Sequence, residues 1–247
     1  MSGESMKDKF FIQMRDECKS INVTLSDLQL EQFYRYYEML IDWNSKVNLT
    51  AITEMEDVVT KHFVDSLSIK MAVEDIAEKK YRIMDVGTGA GFPGIPLKIA
   101  FPDLNITLLD SLNKRVKFLN EVIETLGLTG ITAAHGRAED FGHDNVSRET
   151  FDFAVSRAVA NIATLSEYCL PFVKVGGYFV SYKSGKIEEE LSSGKKAVKL
   201  LGGEIEKVFT FKLPNSDDRS FVKIKKIKKM SNIYPRKAGL PSKEPLK

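Results

Sequence analysis

The chain has 247 residues, of which 43% are hydrophobic and 28% charged, with a net charge of +2 and a mean hydropathy of −0.19. That length holds one large α/β domain plus a modest appendage and leaves two full domains tight, while no apolar run reaches the ~20 residues that cross a bilayer. The start, MSGESMKDKF, lacks the apolar stretch of a secretory signal, and the two cysteines, Cys18 and Cys169, stand far apart in helical patterns, as in a cytoplasmic protein with reduced, buried thiols.

Residues 1–75 read as a helical extension. Ser26-Asp27-Leu28-Gln29 is a capping-box pattern ahead of Phe33, Tyr37, Leu40 and Ile41, which follow helical spacing up to Trp43. WNSKVNLTAI then reads as a polar loop with apolar anchors. A second box, Thr53-Glu54-Met55-Glu56, opens a helix with Val59, Phe63 and Leu67 along one face. Asn48 in the loop and His62, Asp65 and Ser66 in this helix share a neighbourhood.

From residue 81 strands alternate with helices. YRIMDV, NITLLD, ITAAH, FDFAVS and GYFVSYK read as strands, and GIPLKIAF, NKRVKFLNEVIETLG, NIATLSEYCLPFV and IEEELSSGKKAVKLL as helices, the signature of a parallel sheet covered on both faces. GEIEKVFTFKL and RSFVKIKKIKK, joined by the turn-rich PNSDD, predict a closing antiparallel hairpin. The sheet domain is thus expected over 76–230, with a basic tail over 231–247. Residues 221–247 carry nine Lys/Arg against one Glu (+8), leaving 27 basic and 33 acidic groups (−6) in the rest. Two readings fit this run: contact with a polyanion, or a solvated edge strand whose lysines discourage aggregation.

The most informative stretch is MDVGTGAGFPG, residues 84–94, a glycine-rich turn between an apolar strand and a helix. At Gly87 and Gly89 the absent Cβ lets backbone approach a ligand closely. A dinucleotide fingerprint would place its third glycine at position 92, where this chain has Phe92. The D-x-G-x-G-x-G spacing resembles instead the first motif of class I S-adenosyl-L-methionine (AdoMet) methyltransferases. Asp110 ends the second strand, 23 residues after Gly87, where a carboxylate accepts from ribose hydroxyls or, equally physically, caps the next helix. Gly136-Arg137-Ala138-Glu139-Asp140 follows the third strand, on the adenine side, and Arg157 ends the fourth, either as a surface charge or at the mouth of the cleft.

NLTAI (48–52), HFVDS (62–66), DVGTGAGFPGIPL (85–97), LLDSLNKRVKFL (108–119), SRAVA (156–160) and YPRKAGLP (234–241) together resemble the glucose-inhibited division protein B family of bacterial 16S rRNA guanine-N7 methyltransferases, in order from about residue 30 onward. The resemblance implies a class I, Rossmann-like α/β sheet with the helical extension. It also implies AdoMet contacts from Gly87, Phe92, Ala138, Glu139 and Arg157. Where the family usually shows Lys-Gly after the fifth strand, this chain has Lys183-Ser184-Gly185.

The expected reaction needs no general base, because guanine N7 carries a free lone pair and alignment supplies most of the acceleration. In keeping with this, the chain has no Asn-Pro-Pro-aromatic motif for amino methylation, and Cys169-Leu170-Pro171 is not the Pro-Cys motif of cytosine C5 methylation. Asn48, His62, Ser66, Lys183, Arg219 and Arg236 are candidate guanine or RNA contacts. His62 either donates to guanine O6 or a phosphate, or ties helix to loop, and Tyr234 either stacks on a base or packs the tail against the sheet. His62, His135 and His143 form no ligand-spaced cluster with cysteine, so no metal is expected. The expected partner is 16S rRNA within a small ribosomal subunit or its precursor, with no membrane, and the enzyme a monomer. The rivals are a small-molecule methyltransferase, which would not need the +8 end, and an RNA-binding factor with a vestigial cofactor site.

Overall fold

In a computed structural model describing residues 5–247 apart from Val159 and Lys186, the alternation after residue 81 becomes one seven-stranded sheet. Its strands are β1 (Arg82–Val86), β2 (Asn105–Asp110), β3 (Ile131–His135), β4 (Phe151–Ser156), β5 (Val173–Ser184), β6 (Gly203–Lys212) and β7 (Asp218–Lys226), in the order β3-β2-β1-β4-β5-β7-β6. The first five pair in parallel, and β7 runs antiparallel to both β5 and β6. The hairpin forms as expected, but its basic strand β7 lies inside the sheet and β6 is the edge. The edge-strand reading of the lysines therefore does not hold: Lys226 is fully buried, donating to the Leu170 carbonyl at 2.7 Å and pairing with Glu149 at 3.1 Å.

The N-terminal extension consists of α1 (Met6–Ser20), α2 (Asp27–Val47) and a broken helical rod. Ser26 and Gln29 form the reciprocal capping box that the sequence calls for, and Ser5 with Asp8 forms another at α1. Two expectations fail locally. The helix α2 continues through the WNSKV stretch and ends only at Asn48, whose left-handed backbone (φ 48°) stops it. The Thr53 box does not form either. The rod begins after Glu54 with no side-chain cap, as α3 (Met55–Val58), a π turn over Val59–Val64, α4 (Asp65–Leu67) and a 3-10 turn over Ser68–Met71.

Sheet-covering helices are α5 (Gly94–Ala100), α6 (Asn113–Thr125), α7 (Ala138–Phe141), α8 (Ile162–Cys169) and α9 (Glu188–Leu200), with α10 (Leu240–Lys243) in the tail. Alternation along each strand sends neighbours to opposite faces. Ile83 joins Val155, Phe221 and the aromatic side chains Phe10, Phe33, Tyr36 and Phe63 of the extension, whereas Met84 joins Phe179, Leu165 and Val198 on the other face. The N-terminal helices thus share one core with the sheet, each large apolar side chain contributing roughly 1.5–3 kcal/mol on burial. Cys18 and Cys169 are both fully buried, and burial pushes the Cys18 thiol up to about 12. Among the described residues no helix is long and apolar enough to cross a membrane.

The tail folds back over β4 and α8. Arg148 donates to the carbonyls of Gly142, Tyr234, Met230 and Ser231, and Thr164 donates to the Pro241 carbonyl at 3.0 Å. Tyr234 is 9% exposed and packs into the second core, so of its two readings the packing one describes this structure.

Candidate functional site

Strand order reverses between β1 and β4, where an open α/β sheet leaves a crevice at its carboxyl ends. The crevice here is a cleft of about 430 Å³ lined by Gly87, Asp110, Arg115, Ala138, Glu139, Ala158, Tyr168, Gly239 and Ser242, among others. That volume lies within the ~300–1,000 Å³ of small-molecule sites.

Three of the sequence-predicted glycines have distinct jobs. Gly87 (φ 71°) lines the cleft, and a Cβ there would point at the Ala158 Cβ, 3.7 Å away. Gly89 (φ 64°) donates its N–H to Asp110 Oδ2 at 2.9 Å. Gly91 (φ 103°) is a packing glycine, since a Cβ there would stand 2.5 Å from Ile95 Cδ1 and 2.7 Å from the Tyr36 hydroxyl. The loop is anchored from below by Asp85, which accepts from the Thr88 hydroxyl at 2.6 Å and the Gly94 N–H at 2.8 Å through Oδ2. Its Oδ1 is buried without a partner, and burial lifts the carboxyl to about 7, against the downward pull of the two hydrogen bonds.

Asp110 is 3% exposed and accepts from Gly89 N–H, Leu112 N–H at 2.9 Å and Arg115 Nη1 at 3.3 Å. It therefore orders the start of α6, and a carboxylate with about four acceptor sites keeps room for a ribose hydroxyl. Glu139 Oε1 accepts the Gly239 N–H at 2.8 Å, which brings the tail onto the cleft. No local pattern marks Gly239, Ser242 and Tyr168 as residues that line it.

A second cavity of about 640 Å³ opens beside the first and shares Ala158 and Ala160 with it. Lys61, Arg157, Lys183 and Arg219 line it against the carboxylates Asp65 and Glu190, an excess of positive charge suited to a phosphate backbone. Its floor is a buried network. Asp65, 4% exposed, binds Arg157 Nη1 at 2.9 Å and Arg219 Nε at 3.1 Å, one on each oxygen. The π turn frees helical carbonyls, and Arg157 takes up Lys61 O at 3.0 Å while Ser66 Oγ donates to His62 O at 2.5 Å.

Arg157 Nη2 also meets His62 Nδ1 at 3.1 Å. A guanidinium only donates, so Nδ1 accepts and Nε2 carries the proton, donated to Thr50 Oγ1 at 2.8 Å. Burial, reinforced by the Arg157 charge, lowers the imidazole to about 3. His62 is thus held neutral with both nitrogens occupied, tying rod to loop. Phe92 lies under this network, its ring 4.4 Å from the His62 ring and 4.9 Å from the Arg157 guanidinium carbon. Phe92 and Arg157 are not among the cleft-lining residues, although Arg157 lines the neighbouring cavity.

The remaining candidates separate. Lys183 and Arg219 line the cavity. Ser66 is fully buried, and its carbonyl accepts from the Tyr182 hydroxyl at 2.8 Å; Asn48 caps α2 on the surface. Arg236 grips Glu167, holding the tail rather than facing outward. Thr50 and Glu190 were missed, the first because its role depends on the imidazole tautomer and the second because it sits in an ordinary acidic helix start.

The sheet order, the glycine turn after β1 and the acidic end of β2 define a class I methyltransferase. The same architecture occurs in the 16S rRNA (adenine(1408)-N(1))-methyltransferase of Catenulisporales acidiphilia, with a TM-score of 0.52 at 12% identity over 66% of this chain and 92% of that one. It occurs too in TYW2 of M. jannaschii, solved in complex with AdoMet, at 0.51 and 15% identity over 66% and 77%. At this distance the likeness concerns the fold alone. Sequence is more specific: the pattern of the GidB family, described as rRNA small subunit methyltransferase G, matches residues 29–222. Proteins named ribosomal RNA small subunit methyltransferase G are 54% identical in Lachnoclostridium phytofermentans (92% of this chain, 94% of that protein) and 50% identical in Desulforamulus reducens (95% and 98%). The chain belongs to this family.

Proposed function

We propose that this chain methylates N7 of a guanine in 16S rRNA with AdoMet as methyl donor, acting as a cytoplasmic monomer on the small ribosomal subunit or its precursor. The observation that carries the reading is the shared border of the two sites: Ala158 and Ala160 line both the cofactor-sized cleft and the cation-rich cavity.

In the cleft, Gly87 would admit the donor to close backbone contact, Asp110 would accept from its ribose, and Ala138 and Glu139 would flank its adenine. When bound, AdoMet supplies a sulfonium methyl whose carbon–sulfur bond breaks as the N7–carbon bond forms, the positive charge passing from sulfur to the guanine ring with no proton released. The protein therefore has to align and not to deprotonate. His62 fits that division of labour, since its proton is committed to Thr50 and its lone pair to Arg157. Arg157, Arg219, Lys61 and Lys183 give the cavity the charge to hold nucleotide phosphates.

The test is to incubate the protein and AdoMet with small subunits from a strain lacking it, and to map 7-methylguanine by strand scission after borohydride and aniline. Methylation at one guanine is expected. Transfer to an exocyclic amine, or none, would overturn the reading.

A further inference from the structure

Asp65 and Glu190 are the two carboxylates lining the cavity among the described residues, and they differ in what they have left to offer. Both Asp65 oxygens are held by arginines. Glu190, in the first turn of α9, meets Lys183 Nζ at 2.6 Å through Oε1, yet that buried oxygen has no aligned hydrogen bond. Oε1 is thus committed to the Lys183 charge, and the acceptor capacity that remains is that of Oε2, which has no partner among the described residues. The Glu190 side chain is 27% exposed, against 10% for Lys183. Lys183 Nζ also donates to the Ala160 carbonyl. An ammonium has three N–H groups, so even with one turned toward Glu190 another remains for a ligand.

The pair thus sets a donor beside an acceptor, at the border with the cofactor cleft. Guanine presents an acceptor, O6, followed by two donors, N1–H and the 2-amino group; adenine begins with a donor, N6, followed by an acceptor, N1. O6 also lies next to N7 on the base. A donor at Ala160 that engages O6 therefore leaves N7 at the boundary that the two sites share.

We propose that Lys183 and Glu190 read the target guanine, Lys183 donating to O6 and the Glu190 carboxylate accepting from N1–H and the 2-amino group. The proposal rests on the guanine-N7 reading above. It makes the pair a specificity determinant, with no part in the transfer of the methyl group.

The experiment compares small-subunit RNA carrying guanine at the mapped position with RNA carrying inosine there, which lacks only the 2-amino group. The wild type should lose roughly 10- to 100-fold in kcat/KM on inosine, the worth of a hydrogen bond to a charged group. Glu190→Ala should be slower on guanine and discriminate between the two bases by no more than about twofold. Glu190→Gln, which keeps the shape and one acceptor, should fall between and serves where the alanine variant fails to fold. Equal loss on both bases in the variants, with the wild-type ratio preserved, would mean that Glu190 merely pins Lys183, and would overturn the proposal. So would a wild type indifferent to inosine. A wild type inactive on guanine would instead sink the reading on which the proposal rests.

Discussion

Arg236 lies bidentate on Glu167, with Nε at 2.9 Å from Oε1 and Nη2 at 2.7 Å from Oε2, and the carboxylate it holds has no exposed surface. The Arg236 backbone N–H adds a further contact to the same group at 2.8 Å. Removing the guanidinium would strand a buried negative charge. Arg236→Met should therefore lower stability by roughly 3–5 kcal/mol, and lysine should not restore it because it cannot form the fork. Urea denaturation reads the loss, and a change under about 1 kcal/mol would return Arg236 to the list of RNA contacts.

The same clamp fixes the tail against the cleft through Gly239 and Glu139. Deleting residues 231–247 is thus expected to weaken AdoMet binding by tenfold or more as well as RNA binding, measurable by calorimetry. Unaltered AdoMet affinity would mean that the tail borders the cleft without shaping its contents.

Within the glycine turn the effects should separate. Gly87→Val places branched carbon in the cleft and should cut AdoMet affinity sharply, because φ is 71° and the residue faces the ligand space. Gly91→Ala would collide with Ile95 and Tyr36 in the core and should cost more than about 2 kcal/mol of stability. Gly89→Ala meets open space and should cost only the left-handed backbone strain of about 1–2 kcal/mol. Thermal melting alongside calorimetry distinguishes the three.

Acid should expose two opposed titrations. Folding lowers His62 to about 3, so the stability it contributes is present above its ordinary value of 6.5 and is lost as pH falls toward 3. Folding raises Asp85 to about 7, so its contribution is full below 3.8 and is lost as pH rises through 7. The wild-type unfolding free energy should be comparatively flat between pH 4 and 7. Asp85→Asn should uncover a curve that rises with pH by a few kcal/mol over that window. A parallel pair of curves would mean that Asp85 does not titrate there.

Of the basic residues near the end, Lys226 and Arg236 neutralise Glu149 and Glu167, whereas Lys228, Lys229 and Lys237 are exposed. Replacing these three with alanine should weaken RNA binding and shallow its logarithmic salt slope by up to about 0.9 per lost phosphate contact, with melting unchanged. An unaffected slope would assign the lysines to solubility.

The alternation of strands and helices was legible because it rests on local periodicity, and the glycine turn because φ above zero at Gly87 and Gly89 restricts the residue type. What stayed hidden depends on partners distant in sequence. No local pattern announces a π turn, and the roles of His62 and Phe92 follow from Arg157 lying against both, 95 and 65 positions downstream. The charge of β7 was visible, but not that its pairing between β5 and β6 would bury Lys226. Asp110 orders the start of α6, one of its two expectations, and it also lines the cleft in which the other, a bond to ribose, would be made.

Ala158 and Ala160 belong to the walls of both sites. Two ligands that press on one short segment are expected to be coupled, and any such coupling is mutual. Whatever factor the donor adds to the enzyme's affinity for RNA, the RNA must add to its affinity for the donor. A donor that has given up its methyl is expected to press on that wall differently, so loss of the methyl should change the enzyme's hold on RNA by the same factor as RNA changes its preference for fresh over spent donor.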